Sequence, residues 1–544
     1  MGFQGKFLDM IINLNKGTGA KLIINNFITK TVKLKRGIKQ GDALSLFLFI
    51  AALEPLIQAI EKIPEIKGIK IPRGETEKEA CYADDLNALI DDEQSLYPLM
   101  NLIENFGKAS GLKVHPAGHP KCCTCLMSSN FNIDTENLPQ NLKYVTHGIE
   151  SLGTAVGSQE FVNNFTDKKI ENLEREAIRM AETSTNYDER MVLANSILLP
   201  QINFHPQFHG LTHKQKKKIE RIARTFCLRR TATRQQYEIS TRDREHGGFG
   251  FPHLVKFTET MMLTHAMHYV KHRLSNSPLN SEMRLLHANI GSFICRKFDI
   301  PHIREIPAIY PMNYYYQRIK QFIEYYEITK EEIICGQVKL IKSRIRNGPT
   351  MMNPPLTVEP PFSVAPPITP NESFNQVISH GVITFLYKRR LGLLQLARFA
   401  ESYGLENSSG NCVMCSSYRR ETDRHVFLDC PTATRIWTEF GIAIGFPFTS
   451  SEILRLEIPN SRTNKIARTF VIALTLKKIW NERNRLKHSR RGNFDFQGFK
   501  RMIISSLKKQ ANYHLQFSGN EVKTQFQHTL RQLERTLVRQ NNLS

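Results

Sequence analysis

Two groups of residues have the types and the spacing to bind metal ions, and the first is the acidic pair Asp84-Asp85. It follows Tyr82-Ala83 and lies between two short runs suited to strands, residues 79–82 and 86–90. Adjacent carboxylates repel each other, and a bound cation relieves that repulsion. Acidic residues are also common in plain surface turns. The pair is therefore either a cation site or a solvated turn, and its neighbours in the sequence must decide.

The second group combines three cysteines and one histidine near the C-terminus, namely Cys412, Cys415, His425 and Cys430. Three thiolates and one imidazole complete a closed tetrahedral set for Zn²⁺, and the opening Cys-x2-Cys has the spacing of a knuckle. The alternative is a coincidental group of buried thiols. The spacing favours a structural zinc site, because metal binding can fold a small module that has little core of its own.

A third group of metal-capable residues has no regular spacing. It consists of His115, His119, Cys122, Cys123 and Cys125. Free cysteines are most often buried as small apolar groups. We therefore expect core or solvent-facing thiols here and no metal site.

The elements that position these groups are predicted from apolar periodicity and turn residues. Helical spacing covers residues 3–16, 44–61 and 93–108, and hairpins are predicted around Asn25-Asn26 and Asp84-Asp85. Hairpins mixed with helices in this order predict an α+β fold. From about residue 165 to residue 345 the pattern is almost entirely helical.

A glycine-containing segment precedes the second of these helices and ends about forty residues before the acidic pair. Its residues run Arg36-Gly37-Ile38-Lys39-Gln40-Gly41. The two glycines would let the backbone approach a flat ligand such as a base pair. The Gln40 amide can contact a base edge, and the Arg36 guanidinium can contact phosphates. Taken alone, this segment is a weak signal.

Taken in order, these segments resemble the palm of reverse transcriptases from LINE-type (non-LTR) retrotransposons. Residues 36–49 are similar to the family's template- and nucleotide-positioning motif, with Leu46 where many relatives have proline. Tyr82-Ala83-Asp84-Asp85 is similar to the catalytic turn without any change. Further similar segments are residues 106–114 with Lys121, the primer-grip strand at 151–153, the glycine pair in 245–252, and the zinc-binding domain at 412–437. The order of so many matches argues against chance.

The resemblance implies RNA-directed DNA polymerase activity, a nucleotidyl transfer assisted by two Mg²⁺ ions. It implies Asp84 and Asp85 as Mg²⁺ ligands. The residues expected to position nucleotide and template are Arg36, Gly37, Gln40, Gly41, Tyr82 and Lys121. The implied partners are an RNA template, a DNA primer or target, and dNTPs. The implied location is nuclear.

In this family a further aspartate lies on a strand upstream of the first helix, and this sequence does not contain that strand. Asp9 has helical surroundings and Asp42 belongs to the glycine segment, so we expect neither to replace it. We therefore expect an N-terminally truncated reverse transcriptase that does not polymerise alone. Two alternatives remain: a catalytically dead nucleic-acid-binding relic, and an incomplete gene product whose upstream part carries the strand.

Composition supports a nucleic-acid partner. The chain has 544 residues and a formal net charge of +23, which favours polyanions because neutralised phosphates release counterions. The basic run 213–218 is either a solvated helix face or a set of phosphate contacts. Ten cysteines in this length fit a reducing compartment. The apolar stretch 44–60 is interrupted by polar residues, so we expect a soluble intracellular protein without a membrane partner.

Domain boundaries are predicted from shifts in composition. Residues 349–370 contain eight prolines, which suit a semi-extended linker and exclude a helix. The predicted domains are a partial palm at 1–160, a basic helical thumb or connector at 161–348, the linker, a helical region with the zinc cluster at 371–445, and basic C-terminal helices at 446–544.

Overall fold

The fold is known from a computed structural model of the chain. It describes residues 4–17, 19–33, 44–72, 76–83, 85–112, 123–124, 138, 142–183, 186–228, 232–243, 248–275, 277–309, 312–334, 341–342, 345, 379–390, 392, 394, 396, 411–415, 419–443, 447–456, 465–488, 494–514 and eight residues between 524 and 535. Helices dominate, and the strands form small pairs. The predicted α+β class is confirmed.

One compact unit comprises residues 1–165, 278–295 and 301–312. Its helices are α1 (Lys6–Asn15), α2 (Ser45–Lys62) and α3 (Leu96–Ser110), together with most of α11 (Ser281–Phe298). Its strands are β1 (Gly19–Ala20), β2 (Ile23–Ile24), β3 (Phe27–Ile28), β4 (Val32–Lys33), β5 (Ile69–Lys70), β6 (Thr76–Glu77), β7 (Glu79–Tyr82), β8 (Asp85–Ala88), β9 (Cys123–Thr124), β10 (Lys143–Tyr144), β11 (Gly148–Ser151) and β12 (Thr154–Gly157).

The strands of the described residues pair two by two. Antiparallel pairs join β1 with β4, β2 with β3, β5 with β6, β7 with β8 and β11 with β12, whereas β9 and β10 are parallel. Asn25 and Asn26 both have positive φ, of 50° and 66°, as the predicted first hairpin requires. A single bridge between Gly68 and Ile90 links the β5 region to the strand that follows the acidic pair.

The first unit has a small core. Leu56 and Ile60 of α2 pack with Ile66 and with Leu99 of α3. No described residue from 4 to 55 is buried, although many of them are apolar. Burial of apolar surface is the main stabilising contribution to a fold. The packing of α2 on α3 therefore contributes to the stability of this unit.

The second compact unit comprises residues 166–277, 296–300 and 313–544. Its helices are most of α4 (Gln159–Thr183), then α5 (Tyr187–Leu193), α6 (Leu199–Asn203), α7 (Pro206–His209), α8 (His213–Leu228), α9 (Arg234–Thr241), α10 (Leu254–Leu274), α12 (Tyr314–Tyr325), α13 (Lys330–Ile334), α14 (His380–Arg390), α15 (Pro431–Ala443), α16 (Ser450–Arg455), α17 (Lys465–His488) and α18 (Phe496–His514). Turns of π-helix occur at Ala194–Leu198 and His425–Asp429.

One large hydrophobic core fills this second unit and draws on both sides of the proline-rich segment. Phe249 lies with its ring centroid 3.9 Å from that of Tyr387, and the Lys388 ammonium lies over the ring of Tyr187 at 5.7 Å. The proline-rich segment itself lies outside the described residues. The five predicted domains stay predictions, and the residues that flank the segment share one core.

Most predicted elements are confirmed with small shifts at their ends. The helices predicted at 3–16, 44–61 and 93–108 are observed as α1, α2 and α3. Trp480 is buried in α17. Within the part of the chain that the structure describes, every helix is too short or too polar to cross a membrane.

Candidate catalytic hairpin and metal centre

Asp85, the second residue of the acidic pair, begins β8 in the hairpin formed by β7 and β8. It pairs with Tyr82 across the ladder, so two residues connect the strands, and Ala83 is the described one. Two-residue hairpin loops favour residues with positive φ, because that backbone matches the twist of the strands. Ala83 has a φ of 53°, a conformation that costs alanine roughly 1–2 kcal/mol. The loop therefore holds backbone strain at the predicted catalytic turn.

Two predicted site residues project from this tip into solvent. The Tyr82 side chain is 75% exposed, so its ring is available to a ligand, and Asp85 is exposed at the start of β8. An exposed carboxylate is the kind of group that Mg²⁺ takes when it also binds substrate phosphates. The donor type thus fits the expected metal. Burial and the Glu79 carboxylate raise the pKa of Cys81 to about 12, so this neighbouring thiol stays protonated.

Several predicted residues lie outside the described residues. They are Asp84, Arg36, Gly37, Gln40, Gly41, Asp42 and Lys121, together with His115, His119, Cys122 and Cys125 of the irregular cluster. Asp9 is exposed in α1, as expected for a solvated helix position. In the described part of the chain, Asp85 belongs to no group of three clustered carboxylate, histidine or cysteine side chains.

A hydrogen bond between side chains ties the catalytic hairpin to the predicted primer-grip hairpin. Ser151 Oγ, at the end of β11, donates to Asn87 Oδ1 of β8 at 2.7 Å, and Asn87 Nδ2 donates to the carbonyl of Ala80 in β7. Leu152 and Gly153 form the tight turn between β11 and β12, both with positive φ. The motif at 151–153 is therefore adjacent to the acidic hairpin, and Asn87, which the sequence did not single out, makes the connection.

A buried lysine joins the same hairpin to α2. Lys78, directly before β7, directs its ammonium at the C-terminal end of that helix. It donates to the carbonyls of Ile60 at 3.3 Å, Glu61 at 2.8 Å and Ile63 at 2.8 Å. A cation at a helix C-terminus satisfies free carbonyls and interacts favourably with the helix dipole. Lys78 therefore fixes β7 against the helix that follows the predicted glycine motif.

The second site brings the predicted Cys3His set together. The four ligand atoms of Cys412, Cys415, His425 and Cys430 all lie within 4.8 Å of one another. The sulfurs of Cys412 and Cys430 are 4.0 Å apart, and Cys415 Sγ is 3.5 Å from His425 Nε2. Tetrahedral Zn²⁺ with ordinary bond lengths requires about 3.8 Å between two sulfurs and about 3.5 Å between sulfur and nitrogen. The spacing fits a zinc ion without rearrangement.

Local backbone structure explains this convergence. An antiparallel bridge between Asn411 and Arg420 closes the loop that carries the two leading cysteines, and Cys412 N donates to the carbonyl of Arg419 at 2.9 Å. His425 begins the π-helical turn, in which Cys430 N donates to the His425 carbonyl at 2.7 Å. This turn brings the last two ligands to the same side.

The electrostatics of the cluster favour a thiolate at Cys430. The hydrogen bond with Cys412 lowers the pKa of Cys430; burial opposes this, and the N–H groups of Thr432 and Ala433 support it. Those N–H groups belong to the first turn of α15, where the helix dipole stabilises an anion. The pKa of Cys412 is raised correspondingly, first by its hydrogen bond to Cys430 and then by burial. Metal ligands must be deprotonated, and the lowered pKa of Cys430 favours its thiolate form.

The side chains of a second cluster, Glu220, Glu238 and His253, also lie close enough together to hold a metal ion. Its carboxylates already form ion pairs with basic side chains, because Arg234 pairs with Glu220 at 2.7 Å and Lys256 pairs with Glu238 at 3.2 Å. Burial raises the pKa of Glu238, but hydrogen bonds and charge from His253 and Lys256 outweigh it and hold that pKa at about 2. The cluster is a network of ion pairs that fastens α9 to α10.

The basic run 213–218 was expected to be either a solvated helix face or a set of phosphate contacts, and its lysines differ in exposure. Lys216 is buried, where it pairs with Glu259 at 2.7 Å. Lys214 and Lys217 lie on the exposed face of α8, and Arg221 of the same face pairs with Glu174 at 3.2 Å. Only the exposed lysines remain available for phosphate.

Comparisons with known proteins indicate the kind of protein that this chain resembles. Residues 7–156 match the family described as "Reverse transcriptase (RNA-dependent DNA polymerase)". The chain is 23% identical over 322 residues to the "Retrovirus-related Pol polyprotein from type-1 retrotransposable element R2" of Popillia japonica, covering 55% of this chain and 39% of that protein.

A second relative is the "Retrovirus-related Pol polyprotein from type-2 retrotransposable element R2DM" of Drosophila melanogaster. It is 24% identical over 235 residues, which is 41% of this chain and 21% of the relative. The chain thus spans well under half the length of the curated relatives it matches. Residues 7–156, which contain the hairpin of β7 and β8, thus match a reverse transcriptase domain, and the chain is similar to Pol polyproteins of R2 retrotransposable elements.

Proposed function

We propose that this chain carries the catalytic hairpin of an RNA-directed DNA polymerase of a non-LTR retrotransposon, an enzyme that adds dNTPs to a DNA primer on an RNA template. The observation that carries the proposal is the hairpin of β7 and β8. It presents Tyr82 and Asp85 to solvent, it lies within residues 7–156, which match the reverse transcriptase family, and its sequence resembles that family's catalytic turn.

In this proposal Asp84 and Asp85 hold Mg²⁺. The ion, when bound, lowers the cost of ionising the primer hydroxyl and of releasing pyrophosphate. The exposed ring of Tyr82 packs against the incoming nucleotide. The glycine segment, through Arg36, Gly37, Gln40 and Gly41, positions the template and the nucleotide together with Lys121. The contact between Ser151 and Asn87 keeps the primer-grip hairpin in register with the acidic tip.

Primer extension on an RNA template with Mg²⁺ tests the polymerase proposal. We expect Asp84→Ala to abolish nucleotide incorporation, and Asp85→Asn to reduce it. Asp9→Ala is the matched control, because it removes an exposed carboxylate of the same unit. Equal incorporation by wild type and Asp84→Ala would contradict the assignment of the catalytic turn.

A second candidate function is nucleic-acid binding without catalysis. It is favoured by the net charge of +23, which would bind a polyanion whether or not the hairpin is catalytic. Absence of incorporation by the wild-type chain, combined with RNA binding that weakens steeply with salt, supports this candidate over the polymerase.

We propose further that Cys412, Cys415, His425 and Cys430 hold a structural Zn²⁺. Four protein ligands close the coordination sphere, and the two measured distances match a tetrahedral ion. Metal analysis of the full chain should find about one zinc per molecule. Retention of that zinc by a Cys415→Ser chain would refute the ligand assignment.

We propose a nuclear site of action, because the proposed DNA target is chromosomal. Cell fractionation of a tagged chain tests this. Recovery of the chain only outside the nucleus would argue against it.

A further inference from the structure

Two buried arginines from separate helices hold the residues that precede His425. Arg483 belongs to α17 and Arg389 to α14, and their partners are Glu421 and Asp423. Both carboxylates lie in the short stretch between the knuckle loop and the π-helical turn. This stretch connects the leading cysteines to the last two ligands.

The pair of Glu421 and Arg483 is the more deeply buried of the two. Both side chains are 2% exposed. Arg483 Nε donates to Glu421 Oε1 at 2.6 Å, and Arg483 Nη2 donates to the other carboxylate oxygen. The guanidinium also lies over the ring of Trp480 at 4.8 Å, and its Nη1 donates to Asn484 Oδ1 at 2.8 Å. Each side of this arginine therefore has a defined partner.

The second pair, Arg389 of α14 and Asp423, has the same forked geometry. Arg389 Nε and Nη2 donate to the two oxygens of Asp423, each at 2.9 Å. Its Nη1 donates to the carbonyl of Ile453 at 3.0 Å, and its guanidinium lies over the ring of Phe427 at 4.4 Å. Between the two pairs, Thr422 Oγ1 accepts a hydrogen bond from His425 N at 3.1 Å.

The π-helical turn that begins at His425 is also anchored by a buried aromatic side chain. Phe427, midway between His425 and Cys430, is fully buried. Its ring lies 5.9 Å from Phe385 and 6.3 Å from Trp480, and its carbonyl accepts a hydrogen bond from Trp437 Nε1 at 2.7 Å. The two tryptophans of the chain thus both contact the turn that carries two metal ligands.

We propose that Arg483 and Arg389 are positioning residues of the metal centre, so that metal binding and the packing of α14 and α17 form one cooperative event. The inference rests on the proposal that the Cys3His set binds zinc. A buried ion pair adds little net stability compared with apolar packing. Its forked geometry, however, fixes the orientation of the carboxylate relative to the guanidinium. The forks determine where the backbone of residues 421–423 lies, and hence where His425 enters the cluster.

Zinc affinity of the full chain, measured by competition with a chelator, tests the proposal. We expect Arg483→Met to bind zinc about 10–100-fold more weakly, the usual effect of losing support around metal ligands. Arg389→Met should act in the same direction. Arg468→Met is the matched control, because Arg468 lies on the same helix and makes an equally buried fork, at 2.9 Å, to Glu452. It should change zinc affinity by no more than about threefold.

Equal losses of zinc affinity in Arg483→Met and Arg468→Met would overturn the proposal, because they would reflect general destabilisation. So would unchanged affinity in a folded Arg483→Met chain. Arg483→Lys keeps the charge without the fork and should give an intermediate loss. A wild-type chain that binds no zinc refutes the metal proposal itself, and with it this inference.

A second measurement needs no substitution at the arginines. In a Trp437→Phe chain, the fluorescence reports Trp480 alone, whose ring lies between Arg483 and Phe427. Removing zinc with a chelator should shift this emission, and returning zinc should restore it. Emission that does not respond to the metal would overturn the coupling, even if the variant at Arg483 failed to fold.

Discussion

Replacement of Lys78 by methionine should release the C-terminal end of α2 from the catalytic hairpin. The ammonium of Lys78 is buried and donates to three carbonyls of that helix end, at 2.8 Å, 2.8 Å and 3.3 Å. Methionine has similar length and fills the same space, so it removes the hydrogen bonds and the charge without opening a large cavity.

The magnitude follows from these contacts. Hydrogen bonds that involve a charged group each contribute about 1.5–3 kcal/mol, but burying the ammonium offsets part of the total. The Glu61 carbonyl can be rehydrated after the substitution, because Glu61 is exposed. The Ile60 carbonyl cannot, because Ile60 is fully buried. We therefore expect a loss of about 2–4 kcal/mol in the local free energy of unfolding.

Hydrogen exchange of the amides in residues 56–62, measured by mass spectrometry, detects this change. Protection should fall roughly 30- to 1,000-fold, since each 1.4 kcal/mol corresponds to a factor of ten. Lys62→Met is the control, because Lys62 is an exposed lysine in the last turn of the same helix. Exchange in Lys78→Met within twofold of that in Lys62→Met would refute the capping role.

Three further predictions concern pH, strain and the link between hairpins. Glu238 has a pKa of about 2 in the folded chain against an ordinary 4.5, so its ion pairs contribute fully above pH 4.5. About 3 kcal/mol should be lost as the pH falls from 4.5 through 2, and acid unfolding of Glu238→Gln should lack this component. Ala83→Gly should raise the stability of the catalytic hairpin by about 0.5–1 kcal/mol, because glycine adopts positive φ freely; lower hairpin protection in hydrogen exchange would contradict this. Ser151→Ala should cost about 1 kcal/mol by leaving Asn87 Oδ1 without its donor, and unchanged exchange in β8 would count against the contact.

Local spacing was enough to predict the grouping of the Cys3His side chains and the hairpin that carries Asp85. The Cys3His set could be predicted because its ligands lie within nineteen positions and two tight turns bring them together. The acidic hairpin could be predicted from its turn and flanking strands. Its turn was predicted at Asp84-Asp85, but Asp85 belongs to β8, so the turn begins one residue earlier. Tyr82 pairs with Asp85 because alanine adopts the positive φ that sequence preference assigns to glycine or asparagine.

The supporting residues could not be predicted in the same way. Arg483 and Glu421 are 62 positions apart, and Arg389 and Asp423 are 34 apart, so no helical or strand period relates them. Lys216 looks like its neighbours in a basic run, yet Glu259, 43 positions away, removes it from the solvated face. Such partners follow from how helices pack, which depends on the whole core and not on any short segment.

The shared core of the second unit bears on how the chain can be divided. Residues from 170 to 255 and from 382 to 503 bury their apolar side chains in one cluster, with Phe249 against Tyr387. A peptide bond cut within the proline-rich segment would therefore not separate the two halves, because interdigitated side chains hold them. Halves expressed as separate polypeptides would be expected to reassemble, whereas either half alone would leave a large apolar face in water and aggregate.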